Sequence, residues 1–234
     1  MKTRAILSLC VLGLAIGVMS GCDEDPNFYV YQNQVPGDQC VVAADENVYR
    51  PEGVLDVSKE VGYVMFPLLR NDLPPIYTSG DEGRLPEPNM LQMQKFEVKL
   101  DLSDLSGSFS SSLRSFNQIT TGVLNPGDKR ASWVKIIPDE LAKKINIKTT
   151  ERPQIVATVV AVAESGMGEI VRSLPFMYPI TLCNGCLVKN LSTCDPEELP
   201  VGLVSQVCGL PQDNTLYCCV DAILGPRCFA GMVQ

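Results

Sequence analysis

Residues 155 to 163 read Ile-Val-Ala-Thr-Val-Val-Ala-Val-Ala, a run that is apolar at odd and even positions alike and rich in β-branched side chains. Such a run fits a strand in the middle of a sheet, where both faces are occupied, and it fits a helix poorly. Ser165-Gly166-Met167-Gly168 supplies a turn, and Ile170 to Phe176 can return antiparallel, so a hairpin is expected here.

A second segment carries the complementary signal. Phe96, Val98, Leu100 and Leu102 alternate with Glu97, Lys99 and Asp101, the period of two that marks a half-buried strand. Leu91 and Met93 just upstream stand in the opposite phase. One continuous strand through both needs a bulge near Gln94 or Lys95. Val54 to Val57, Tyr63 to Leu69 and Ser132 to Ile137 are further candidate strands, and Phe28 to Tyr31 a possible edge strand. Pro138 to Ile145 predicts one short helix, with Pro at its first position, acids early and lysines late. Ser106 to Ser115, with six serines, predicts an exposed loop, and Trp133, the single tryptophan, is expected in the core.

Six to eight such strands joined by Pro- and Gly-rich turns predict a mainly β chain. Its pattern is similar to an immunoglobulin-like or fibronectin-like β-sandwich across residues 41–182, with a small disulfide-stapled extension at the C-terminus.

The cysteines define that extension. Leaving aside Cys10 and Cys22, eight remain: Cys40, then Cys183, Cys186, Cys194, Cys208, Cys218, Cys219 and Cys228, seven of them within residues 183–234. A segment that short buries little core, and dense cysteines in an exported chain act as disulfide staples. Eight sites allow 105 pairings. Because seven is odd, complete pairing within the chain would oblige Cys40 to join one of the tail cysteines. That bridge would close a loop of at least 143 residues, from 40 to 183, with a stabilisation of about 4–5 kcal/mol in the chain-entropy model. Cys183-Asn184-Gly185-Cys186 also admits zinc ligation or thiol–disulfide chemistry. Zinc lacks a suitably spaced second pair, and redox activity lacks a strand-to-helix setting, so a structural disulfide is expected and no metal site is assigned. Asp195-Pro196-Glu197-Glu198 opens a short helix with a capping pattern.

The N-terminus supplies the address. Lys2 and Arg4 precede an uncharged run from Ala5 to Val18 and small residues at Ser20 and Gly21, the order of a secretory signal. The run is too short to span a hydrocarbon core of about 20 residues. Met19-Ser20-Gly21-Cys22 resembles the lipobox of bacterial lipoproteins, with Met19 in place of the usual Leu. The resemblance implies cleavage before Cys22, a diacylglycerol-type lipid on its thiol, and a place in the bacterial cell envelope. Outer-membrane anchoring is expected. Asp23 resembles an inner-membrane retention signal in some enteric bacteria, which keeps that membrane open. The expected organisation is a signal peptide at 1–21, an acidic tether at 22–40, a sandwich at 41–182 and a cysteine-rich tail at 183–234. Cys208-Gly-Leu-Pro-Gln-Asp followed by Cys218-Cys219 resembles a tail pattern of uncharacterised bacterial lipoproteins, which implies no particular activity.

Charge and composition narrow the functions. Loss of Lys2 and Arg4 takes the net charge from −8 to −10, and an acidic surface disfavours nucleic acid. The chain holds no histidine, which removes the commonest general base and metal ligand. No catalytic residue, metal or cofactor is assigned. Asp101 to Gly107 loosely resembles a calcium loop without its alternating carboxylates and reads as a solvated strand end; Asp81-Glu82-Gly83 reads as a turn, and Asn190-Leu191-Ser192 as a chance glycosylation match. The expected function is a non-catalytic, lipid-anchored envelope protein that binds another protein or supports an assembly. The alternatives are a carbohydrate or cell-wall binding module, or a thiol–disulfide or other enzyme.

Overall fold

The computed structural model describes residues 27–37, 41–76, 87–191, 193–194, 212–223 and 225–230. The signal and Cys22, Cys40, Cys208, the 81–83 turn, the 195–198 helix and Ser192 lie outside them. The described chain is mainly β. Its strands are β1 (Phe28–Asn33), β2 (Gly53–Asp56), β3 (Tyr63–Met65), β4 (Pro67–Asn71), β5 (Leu91–Asp101), β6 (Ser115–Ile119), β7 (Val123–Leu124) and β8 (Lys129–Ala131). They continue with β9 (Val134–Ile137), β10 (Gln154–Ser165), β11 (Ile170–Arg172), β12 (Phe176–Cys183), β13 (Val188–Asn190), β14 (Leu216–Asp221) and β15 (Gly225–Ala230). Two single-turn helices, α1 (Ser111–Arg114) and α2 (Asp139–Ala142), complete the elements used below.

The central sheet has the order β2-β12-β10-β5-β6, with β11 beside β10 and β7 beside β5. The run at 155–163 is its middle strand, β10, paired antiparallel to β5 on one side and β12 on the other. Val162 opposes Lys95 and Ala163 opposes Met93. Gln94 is therefore an extra residue on β5, the expected bulge, and it turns Leu91 and Met93 onto the same buried face as Phe96, Val98 and Leu100. The hairpin from β10 also forms, through β11.

The inner face, with Ile155, Ala157, Val159 and Ala161 of β10 and Tyr178, Ile180 and Leu182 of β12, shares one core with Phe28, Val30, Leu69, Met65 and Ile136 of the smaller sheets β1-β4-β8 and β3-β9. The outer face differs. Val156, Thr158 and Val160 are only half-buried, so β10 lies in the middle of the sheet edge to edge but not face to face.

Several expectations are corrected. Trp133 is 58% exposed, because Val134 and Ile136 point inward and the period of two sends position 133 outward. The 106–115 stretch is not a plain loop: it ends in α1 and leads into β6, which forms on the edge of β5. The helix at 138–145 is limited to α2, with Pro138 in the extended cap position. The edge strand expected at Phe28 to Tyr31 does form, as β1 at the edge of the β1-β4-β8 sheet, with Phe28 and Val30 buried. Among the described residues no helix is long and apolar enough to cross a membrane.

Candidate functional site

Two joints bind the cysteine-rich region to the sheets. At the first, the end of β12 runs into Cys183–Cys186, which are disulfide-bonded three residues apart. Asp56, fully buried at the end of β2, accepts hydrogen bonds from the main-chain N–H groups of Gly185 (2.8 Å), Leu187 (2.9 Å) and Ser58 (3.0 Å). Burial alone would push its carboxyl up, but the donors from Ser58, Gly185 and Leu187 outweigh that and hold it below the usual carboxylate range. The Asp56 carboxylate and both sulfurs lie within 4.8 Å of one another. With the sulfurs bonded to each other and the carboxylate taken up by N–H groups, the cluster offers a cation no free thiolate, and its geometry is that of a tied corner.

At the second joint, residues 212–214 return to the sheets. The Gln212 side chain imitates a neighbouring strand: its Oε1 accepts from Val64 N–H (2.8 Å) and its Nε2 donates to Val64 C=O (2.6 Å). Asp213 exchanges main-chain and side-chain bonds with Val54, both at 2.8 Å, and adopts the left-handed conformation (φ 65°) that Asp tolerates better than most residues. Its other oxygen accepts from Tyr63 Oη (2.8 Å), Tyr63 meets Tyr178 Oη (3.0 Å), and Asn33 Nδ2 donates to Tyr178 (2.7 Å). Arg50 stands 3.5 Å from the Asp213 carboxylate. Burial pushes this carboxyl up, against the opposing pull of Arg50 and the N–H and O–H donors, and burial also pushes the Tyr178 hydroxyl up to about 12. Gly53 is required here, since a Cβ at that position would stand 2.6 Å from the Tyr63 ring.

Of the remaining tail cysteines, Cys194 and Cys219 form a disulfide, and Cys218 is disulfide-bonded as well. Cys228 lies opposite Cys218 in the β14–β15 ladder. Cys22, Cys40 and Cys208 are outside the described residues.

The third feature is the outer face of the central sheet. Cross-strand pairing places Ile119, Lys95, Val162 and Arg172 in one row, and Ser115, Lys99, Thr158 and Met177 in another. Ile119 is 83% exposed, Met177 66% and Ile170 61%. Glu97 pairs with Lys95 (2.9 Å) and with Arg172. Beyond these pairs the face dips into a hollow of about 590 Å³, with Lys99, Asp101, Arg114, Val156, Thr158 and Met177 among its lining. The Asp101 carboxylate accepts from Ser103 N–H (3.0 Å), which with the neighbouring Lys99 and Arg114 holds it below the usual range.

Sequence reasoning singled out the cysteines but not Asp56, Gln212, Lys99 or Arg114. Gln212 and Asp213 are the last two residues of the Cys208-Gly-Leu-Pro-Gln-Asp pattern, visible as a pattern without a role. No family model, curated protein or solved structure matches the chain.

Proposed function

We propose that this chain is a non-catalytic lipoprotein of the bacterial envelope, held to a membrane through a lipid on Cys22, that binds a partner protein or supports an assembly with the outer face of its central sheet. The observation that carries the reading is the exposure of Ile119, Ile170 and Met177 on that face. Large apolar side chains left exposed on one sheet surface are consistent with contact with another macromolecule. The tied corner and the Gln212–Asp213 joint favour a structural part for the cysteine-rich region over a reactive one. A lipobox-type signal supports anchoring to a membrane of the envelope through Cys22, with the outer membrane as our reading and the inner membrane as the choice if Asp23 is read as a retention signal. An immunoglobulin-like or fibronectin-like sandwich over 41–182, joined by β1 from the segment before it, and a separate region at 183–234 are kept as our reading; sheets sharing one core and mostly antiparallel pairing, with β2 parallel to β12, support it.

Photo-crosslinking in the native membrane tests the partner. A photoreactive residue at Ile119 or Met177 is expected to yield a discrete protein adduct that one at exposed Lys144 does not; recovery of only lipid and cell-wall polymer would overturn it. Radiolabelled palmitate should enter the wild-type chain and not Cys22→Ser.

One observation favours the carbohydrate-binding alternative: Trp133 is exposed and offers a stacking face. Loss of cell-wall polymer binding in Trp133→Ala, with adduct formation at Ile119 unchanged, would move the function there.

A further inference from the structure

We propose that the hollow on the outer sheet face binds a small organic anion, its carboxylate or phosphate group bridging Lys99 and Arg114 and its carbon atoms resting on Val156 and Met177. This inference goes beyond the partner-protein reading, with which it shares Met177, and its test needs no partner.

Charge distribution comes first. The chain as a whole carries −8, yet the charged groups lining the hollow are two cations and one acid. That acid, Asp101, accepts from Ser103 N–H and attracts both cations without forming an ion pair with either, which leaves the hollow one positive charge in excess. Elsewhere on the same face the cations are matched, Lys95 and Arg172 both by Glu97. Lys99 and Arg114 make no ion pair among the described residues. Two cations set in a concavity of an otherwise acidic molecule focus a local positive potential.

The shape fits a compact ligand. About 590 Å³ is inside the ordinary range for small-molecule sites, about 300–1,000 Å³. The floor is rigid, because Lys99 and Thr158 sit in the β5–β10 ladder and Met177 of β12 pairs with Thr158 of β10. The rim is anchored too: between Asp101 and Arg114 the chain buries Leu102 and Leu105 in the core and packs Phe109 and Leu113 against it. A site fixed in advance loses little entropy on binding. Val156 and Met177 give the floor an apolar strip, and the flexible thioether of Met177 adapts to varied carbon skeletons.

The test is isothermal titration calorimetry of the full-length chain in a neutral detergent, with octanoate, hexyl phosphate and inorganic phosphate as probes. Both alkyl anions should bind at one site, more tightly than inorganic phosphate, and added salt should weaken all three. Lys99→Ala and Arg114→Ala should each weaken every probe about tenfold, the effect of removing one charge-assisted hydrogen bond. Met177→Ser should weaken the alkyl probes alone, and Lys143→Ala none. All these positions except Val156 are at the surface, so the variants fold. Absence of binding by all three probes at millimolar concentration would overturn the proposal. So would binding that survives the Lys99→Ala/Arg114→Ala double variant, or octanol binding as tightly as octanoate. If the headgroup alone decides affinity, hexyl phosphate and inorganic phosphate will be equal and the apolar half of the proposal fails.

Discussion

The two joints that fasten the cysteine-rich region use the same chemical group in opposite ways. Asp56 gathers three main-chain N–H donors and is held in its ionised form, below the usual range. Asp213 is wedged beside Tyr63 and Tyr178, where burial outweighs Arg50 and the other donors and drives the carboxyl up. Three N–H donors make up for the water that Asp56 loses, whereas the donors around Asp213 do not outweigh its burial. The first joint is therefore expected to be the stronger, and the two to depend on pH in opposite directions.

The largest test of that ranking is Asp56→Ala, which removes a fully buried carboxylate and leaves the N–H groups of Ser58, Gly185 and buried Leu187 without their acceptor. A loss of about 3 kcal/mol or more in unfolding free energy by urea denaturation is expected. Asp213→Ala removes an acceptor but also removes a buried charge, so a smaller loss of about 1–2 kcal/mol is expected. Should the second loss equal the first, the contrast between the joints is broken. Tyr63→Phe deletes one hydroxyl shared by Asp213 and Tyr178 while keeping the ring, and should cost about 1 kcal/mol by the same measurement.

The smallest effect sharpens the contrast by sign. The contribution of Asp56, whose folded value is lowered, is complete above the ordinary Asp value of about 3.9 and is lost as pH falls through the folded value. The contribution of Asp213, whose folded value is raised, is complete below that ordinary value and is lost as pH rises through the folded value. Urea midpoints of wild type minus Asp56→Asn and wild type minus Asp213→Asn, followed across this range, should slope in opposite directions. Parallel slopes would mean that burial does not govern Asp213.

What the sequence revealed follows from how local each signal is. The strand at 96–100 and its Gln94 bulge could be read because period and phase are written in consecutive residues. β10 could be read as a middle strand, but not that its even positions are half-buried, since that depends on what packs over the other face. β6 carries a weak alternation, Ser-Phe-Asn-Gln-Ile, and becomes a strand because β5 offers it an edge. Asp56, Gln212 and Asp213 acquire their roles from partners 129 to 163 residues away, and nothing beside them in the chain announces it. Lys99 was read as the solvated face of a strand, which it is; only the fold brings Arg114 and the floor of β10 and β12 next to it.

The Gln212 side chain has a consequence for how the molecule comes into being. Val64 reaches its side-chain partner across 148 residues, and synthesis delivers the chain from its N-terminus. Until residue 212 emerges, Val64 keeps an N–H and a C=O without the groups that finally cap them, a short stretch of open strand edge of the kind that invites pairing with another chain. Truncation upstream of Gln212 would leave that state permanent, so a clipped chain is expected to accumulate as aggregates rather than as a slightly smaller native protein.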